Sequence, residues 1–513
     1  MKNFLKILMF GVFCTCKIFA AENADISKFV PAENCAPLNL KSEDWAEIGS
    51  LKHFESKDIK DSKLGIGFEA LDRKMFDPSK AYDPIAQTGL KWVRCQTGWA
   101  RTETQKGKYD FAWLDEIVDN LIARGLKPWF NVGYGNPLYM PNVNNPAALG
   151  YVPLYYGDEC LEAWQNFIAA LTEHFKGRVQ YFEIWNEANT PHFWQPEEPN
   201  PTDYAKLVNL TSAVIKRVNP EAQTGACVSG QMRAYMVGFF KAGGGDNIDF
   251  FTMHPYVIMP EYDGAESSRG FKAILRDFAG GKEISLWQGE AGFASYFPPK
   301  HWLNTVTASN QQIQAKWILR RIITDLSEGR GLTSIFQAVD FETYFTAEGG
   351  GKPAIFGKFG ILEAKTYKPK RAWSAIKNLT CIFDCDTVKK DFYGALDLRS
   401  GEKPVLGMSR AFENAARVLT FERNNYPLYV YYLAEDVEVC MPQRSAKLKF
   451  LEGKNEIRRP VLVDLFDGKV YEYKKPVGME YYGNVRGIKD MPLTDYPLLF
   501  TDFEALKDRI ILK

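Results

Sequence analysis

Two glutamates carry the chemistry that this sequence can be expected to perform. Glu187 lies in YFEIWNEANTPHFW (181–194), beside Asn186 and among aromatic rings. A carboxylate among indoles is costly to keep unless something offsets the cost. Glu290 lies in EISLWQGEAGF (283–293), again in an aromatic setting. Two carboxylates on one apolar cleft are the equipment of glycoside hydrolysis: one protonates the leaving oxygen and the other meets the anomeric carbon. Either glutamate alone would read as a solvated strand end or a partner for a helix lysine. The pair, with polar groups on the same layer, carries the expectation.

Such a pair needs a scaffold that brings distant residues to one mouth. From about residue 63, short apolar runs alternate with amphipathic stretches. KLGIGFEAL (63–71), LKWVRCQTGW (90–99), LKPWFNVGY (126–134), the run from Tyr181, QTGACVSG (223–230), IDFFTMHPY (248–256), EISLWQGEAGF and LTSIFQAVDF (332–341) read as strands. Between them, FAWLDEIVDNLIARG stops at Gly125, and Trp164, Phe167, Ile168, Leu171 and Phe175 recur at helical spacing. TDYAKLVNLTSAVIKRV reads as a helix capped by Thr202, and further helices fall near 310–328 and 370–379. Strands alternating with helices over 61–380 predict an α/β fold, a (β/α)8 TIM barrel. A doubly wound open sheet would want a glycine-rich phosphate turn after the first strand, and LGIGFEA lacks its third glycine and its helix.

Beyond residue 380 the texture changes to RVLTFER, LYVYYLAE and VLVDLFDGKVYEYKK, with Asp467 and Gly468 as a hairpin turn. Residues 381–513 are therefore expected to form a C-terminal antiparallel β-sandwich packed on the barrel. The N-terminal segment 22–60 is expected to add strands to it.

In a barrel of this kind the C-terminal strand ends converge, with Glu187 closing the fourth strand and Glu290 the seventh. Period-two alternation sends Glu183, Trp185 and Glu187 to one side and Phe182, Ile184 and Asn186 to the other, until the strand end loosens the rule. Glu183 then points into the barrel as a buried carboxylate paired with a cation. Arg94 can hold Glu183 or Glu290, and as a permanent cation it would keep the latter ionised. Tyr256 can donate to a carboxylate, while His254 is either a site residue or a packed core imidazole. Trp99, Tyr134, Trp185, Trp194 and Tyr296 fall near strand ends, where sugar C–H faces can stack.

WVRCQTGW, EIWNEAN, MHPY and WQGEAGF resemble strands two, four, six and seven of clan A glycoside hydrolases, most nearly the family 39 type. The resemblance spans about 61–380. It implies a retaining O-glycosyl hydrolase with Glu187 as general acid/base and Glu290 as nucleophile. It also implies that Asn186 binds the hydroxyl next to the reacting carbon, and that Arg94, His254 and Tyr256 surround the nucleophile. Carboxyl groups roughly 5–5.5 Å apart would share about one proton near neutrality. The eighth strand, SIFQAVDF, departs from many clan members in having no Trp, so Phe336 or Phe341 would take the cleft floor.

Composition narrows the alternatives. Lys plus Arg and Asp plus Glu both total 63, so no global field favours nucleic acid or an anionic membrane. Residues 1–21 have the pattern of a secretory signal peptide, with Lys2 and Lys6 ahead of a short apolar run. The expected product is a secreted or periplasmic protein with a carbohydrate substrate and no membrane partner once the leader is removed. Oligomeric state is not legible. The five histidines are scattered, so no metal is expected, and no cofactor is implied. Cys95 and Cys227 read as buried small hydrophobes, while Cys381 and Cys385 could bridge only across a short, strained loop. A noncatalytic carbohydrate-binding barrel and a transglycosylase using the same residues are the alternatives.

Overall fold

The structure, a computed structural model, describes residues 37–230, 232–297, 309–345, 351–353, 357–398, 415–435, 444–451, 453–479 and 485–513. The leader at 1–21, Cys35 and Cys440 lie outside the described residues. After an N-terminal strand β1 (Trp45–Leu51), eight strands follow in sequential order and close on themselves. They are β2 (Leu64–Phe68), β3 (Trp92–Gln96), β4 (Lys127–Val132), β5 (Tyr181–Ile184), β6 (Gln223–Ser229), β7 (Phe250–His254), β8 (Ser285–Ala291) and β9 (Thr333–Ile335). All neighbours are parallel, and β9 returns to β2, so the expected barrel is the observed one.

Inward-facing residues divide the barrel interior into two layers. At the N-terminal end Trp129, Phe250, Trp287 and Leu332 form an aromatic plug, in which Phe250 stacks on Trp287 at 4.1 Å. Two residues further along β3, β4 and β7, the alternation places Arg94, Asn131 and Thr252 above it. Arg94 lies 5.7 Å over the Trp129 ring. The charged layer therefore sits on an apolar floor that excludes water from below.

Several local expectations are corrected. The helix Pro201–Val218 is capped by Asn200, whose side chain accepts from the amides of Thr202 and Asp203, and not by Thr202. Pro201 suits the first helical position because its missing N–H would have had no partner there, which moves the cap back. Strand β9 stops at Ile335, well short of residue 341. Helix Pro260–Phe278 starts earlier than the run FKAILRDFAG indicated. Cys381 and Cys385 are both free, and Cys95 and Cys227 are buried as expected.

The C-terminal residues form two antiparallel sheets. One has eight strands and takes in β1, which pairs with Lys469–Tyr473 and Ile510–Leu512; the other has four. Phe450 of the smaller sheet meets Phe500 of the larger at 5.1 Å, closing a sandwich core. The sandwich docks on barrel helix Gln311–Ser327, which is buried on nearly every side and so carries cations into the interior. Lys316 pairs with Asp495 of the sandwich at 2.9 Å, both side chains sealed from solvent. Arg320 binds Glu261 of the preceding helix at 2.7 Å and donates to the carbonyl of Glu435. Removing one member of such a pair leaves the other charge buried and uncompensated. Lys316→Ala is expected to cost about 3–5 kcal/mol of stability by denaturant unfolding. A loss under about 1 kcal/mol, as for a surface pair, would contradict this docking.

Candidate active site

Arg94, fully buried in the middle of β3, is the hub of the barrel mouth. Its Nε and Nη2 donate to Glu183 Oε1, and Nη2 also donates to Asn186 Oδ1 at 2.7 Å. Its Nη1 donates both to Glu290 Oε2 at 2.8 Å and to Glu69 Oε2 at 3.0 Å. Burial alone would weaken this cation, but Glu183, Glu69 and Glu290 together hold its pKa well above the ordinary value. Glu183 is the buried structural carboxylate expected from alternation, and it also accepts from Asn131 Nδ2 and Thr252 Oγ1. Gly289 is needed beside it: a Cβ there would lie 2.9 Å from Thr252 Cβ and 3.2 Å from Glu183 Oε2.

Two backbone devices bring the mouth residues together. Trp185 and Glu187 have φ of 68° and 43°, in the left-handed region that non-glycine residues rarely occupy. The chain therefore turns at once after Ile184, so the alternation fails one residue beyond the strand. Asn186 turns inward onto Arg94, while the Trp185 ring packs outside on Tyr134, Trp164 and Trp194. On β8, the pairing with β9 slips between Gln288 and Ala291. Such a bulge re-aims a side chain, and here it lies where Glu290 joins the mouth.

Glu187 and Glu290 meet across this mouth. One oxygen of each, with a ring nitrogen of His254, lies within 4.8 Å of the others. His254 Nδ1 is 2.9 Å from Glu187 Oε1 and 3.7 Å from Glu290 Oε2, and its Nε2 is 3.3 Å from Cys227 Sγ. Burial disfavours the imidazolium, yet Cys227, the Glu290 charge and the bond to Glu187 outweigh it, so the ring pKa stands well above its usual value. The Cys227 thiol is itself pushed up by burial and by Glu183, which leaves the carboxylates as the source of negative charge. Tyr256 donates to Glu290 Oε1 at 2.6 Å. Tyr256 is 41 % exposed as a whole residue, but burial of the hydroxyl and the Glu290 charge raise its pKa well above the usual value, so it remains a donor. A metal ion could reach the Glu187, His254 and Glu290 atoms, but Arg94 and His254 already supply positive charge to these carboxylates, so the donor set does not call for one.

Four of the five expected stacking rings are corrected. Trp99, Trp185 and Trp194 are 0 % exposed and Tyr134 is 1 %, so no sugar face can reach them. Trp99 packs between Tyr139 and Phe167, and Tyr134 stacks on Phe193. Burial of a large ring satisfies the same apolar surface that a ligand would, and here the loops take it. Tyr296 alone of the five is exposed, at 50 %. Phe336 forms an edge contact with Tyr256 at 6.0 Å, on the wall next to Glu290, whereas Phe341 is buried.

Glu69 was missed. It follows β2 directly, is 3 % exposed, and shares Arg94 Nη1 with Glu290. Its Oε1 lies 2.2 Å from where a Cβ at Gly67 would sit, so only glycine leaves room for this carboxyl. Burial first, and then the Glu290 charge, raise its pKa to about 7 against the pull of Arg94. The rule that singled out Glu187, a carboxylate at a barrel strand end, applies equally to LGIGFEAL.

Comparison with known proteins agrees with this fold. The β-xylosidase of Geobacillus stearothermophilus is 28% identical over 164 residues, which is 29% of this chain and 31% of that one. The match thus spans about a third of the length of that relative. A family 39 β-xylosidase from Caulobacter crescentus superposes with a TM-score of 0.54 at 16% identity, covering 89% of this chain and 99% of its own. A family 39 enzyme from Xanthomonas axonopodis pv. citri gives 0.53 at 17% identity over 89% and 95%. At such identities these two report on fold alone. Residues 77–377, more than half of the chain, match the family described as glycosyl hydrolases family 39, and the chain belongs to that family.

Proposed function

We propose that this protein is a retaining glycoside hydrolase that acts by double displacement, with Glu290 as nucleophile and Glu187 as general acid and base. The observation that carries the reading is the short gap between the two carboxylates, within 4.8 Å for one oxygen of each. Retaining pairs stand roughly 5–5.5 Å apart, whereas inverting pairs leave roughly 6.5–9.5 Å for a water.

The surroundings of the two acids support this division of roles. Glu290 faces Arg94, which never gives up its proton, and Tyr256, which donates without being charged. It is thus placed to attack as a carboxylate. Glu187 faces His254, a group that can exchange a proton, so the mobile proton belongs to the Glu187–His254 pair. In the first step Glu290 forms the bond to the anomeric carbon while Glu187 delivers a proton to the departing oxygen. Esterification removes the Glu290 charge, which makes Glu187 easier to ionise, and Glu187 then takes a proton from the incoming water. Asn186, its carbonyl oxygen fixed on Arg94, keeps its NH2 for the neighbouring sugar hydroxyl. Aryl β-xylosides are the first substrates to test, on the strength of the named relatives. The signal-like pattern of residues 1–21 supports a reading in which the reaction runs outside the cytoplasm.

Glu69 acts on the same cation as Glu290. When it is protonated, the Arg94 charge serves Glu183 and Glu290 alone. A carboxyl whose pKa rises on folding makes the folded state the tighter proton binder. Its stabilising contribution is full below the ordinary value of 4.5 and is lost as pH rises through about 7.

Glu290→Ala is expected to abolish turnover, and added azide to restore it with a glycosyl azide of inverted configuration; substantial activity without azide would refute the assignment. Glu187→Gln is expected to lower kcat/KM on substrates with poor leaving groups by about 10²–10⁴-fold, while sparing the first step on activated aryl glycosides. Equal losses on both would count against an acid role. For Glu69→Gln, thermal unfolding across pH should show the variant gaining on the wild type between pH 4.5 and about 7. Parallel profiles would mean that Glu69 does not hold the proton assigned to it. Asp464, also raised by burial to about 7, is common to both proteins and cancels in the comparison.

A further inference from the structure

We propose that a cavity beside the carboxylate pair is a second sugar subsite that takes a saccharide unit carrying an anionic group, a carboxylate or a sulfate ester. The proposal rests on the glycosidase reading above, which supplies the saccharide. The cavity has a volume of about 370 Å3, in the range of small-molecule sites. It is lined from three loops, at Asp72–Lys74 after β2, Gly98–Thr104 after β3 and Asn145–Leu149 after β4. All three leave the C-terminal ends of barrel strands, the face on which Glu187 and Glu290 stand.

Named contacts tie the cavity to the mouth. Gln96, two residues beyond Arg94 on β3, accepts from the Ala70 amide at 2.6 Å and from Arg73 Nη2 at 2.9 Å. The Arg73 guanidinium lies 5.8 Å over the Tyr134 ring, which packs on Trp185. Burial and the Arg73 charge lower the pKa of His192 while Glu187 raises it, so one imidazole feels both the cavity and the acid. The cavity and the carboxylates thus share a wall of buried side chains and open from the same face of the barrel.

The lining specifies charge and not stacking. Arg73, Lys74 and Arg101 face one carboxylate, Asp72, which is 2 % exposed and lies 3.3 Å from Arg73 Nε. The remaining wall mixes small aliphatic side chains with Pro146 and the polar Thr104 and Asn145, and it has no aromatic ring. Arg101 is held in place, its Nη1 on the Leu71 carbonyl and its guanidinium 3.9 Å over Trp113. The loop is held too: Ala70 and Lys74 have φ of 55° and 54°, a conformation that non-glycine residues take at a cost and that collects at functional sites. Lys74 is exposed, and no ion pair or side-chain hydrogen bond engages its ammonium among the described residues. Asp72 is buried against Arg73, and burial raises the pKa of its carboxyl, which leaves the exposed charge of the cavity positive. Guanidinium forks match carboxylate and sulfate oxygens in pairs, and a net positive cavity disfavours a cationic unit. Residues 72–74 precede the stretch matched to the family, 77–377.

The test is binding of a glucuronate-ended disaccharide, its methyl ester and the corresponding sulfate ester to the full chain, by isothermal titration calorimetry. The expected result is that at least one anionic ligand binds roughly tenfold or more tightly than the ester. The preference should vanish in Lys74→Glu at unchanged melting temperature, and the tighter of the two anions identifies the source of the charge. No binding, equal binding of ester and anions, or a preference that survives Lys74→Glu would overturn the proposal. The same titration on Glu290→Ala separates the two readings. Retained binding supports the subsite whatever the outcome for turnover, and binding lost with Glu290 overturns it.

Discussion

A guanidinium with no exposed surface is tolerated inside the barrel only because Glu183, Glu69, Glu290 and Asn186 all accept from it. Removing such an ion from water costs several kcal/mol, and the cost is offset when every donor has a well-placed acceptor. The dependence runs both ways. Three carboxylates packed together would repel one another, and Arg94 is the charge that lets them share one layer. The aromatic plug beneath keeps water out, so these interactions act in a medium of low polarity. Glu290 is thereby fixed from below by Arg94 and from the side by Tyr256, the preorganisation that its proposed role as nucleophile requires.

The sandwich contributes to this arrangement from a distance. Helix Gln311–Ser327 connects β8 to β9 and is clamped between barrel and sandwich by Lys316 and Arg320. Strand β8 carries Glu290, and its bulge is defined against β9. The helix thus joins the strand pair that carries the bulge to the sandwich. β1 belongs to the same sheet as the C-terminal strands, so the two ends of the described chain are tied together behind the barrel.

The alternation of strands and helices was legible because each period reflects which faces are buried, and burial in a (β/α)8 barrel follows the chain closely. Glu187 and Glu290 were legible because each stands at a strand end among rings. What escaped depends on events at a single residue or on distant packing. The left-handed turn at Trp185 exchanges the directions of Trp185 and Asn186, and no periodicity announces it. The slip beside Glu290 arises from pairing with a strand that comes later in the chain. The burial of Trp99, Tyr134 and Trp194 is decided by neighbours such as Tyr139, Phe193 and Tyr155, which come from other parts of the loops. Glu69 was within reach of the strand-end rule, but its meaning came from sharing a cation with Glu290.

On the proposed mechanism, the carboxylate held by Arg94 and Tyr256 becomes bonded to sugar during turnover. A 2-deoxy-2-fluoro glycoside with an activated leaving group slows release of such a species, and mass spectrometry of the digested protein locates it. One added glycosyl unit is expected, on the peptide containing Glu290. An adduct on any other residue, or an unlabelled protein that turns over the reagent with inversion at the anomeric carbon, would contradict it.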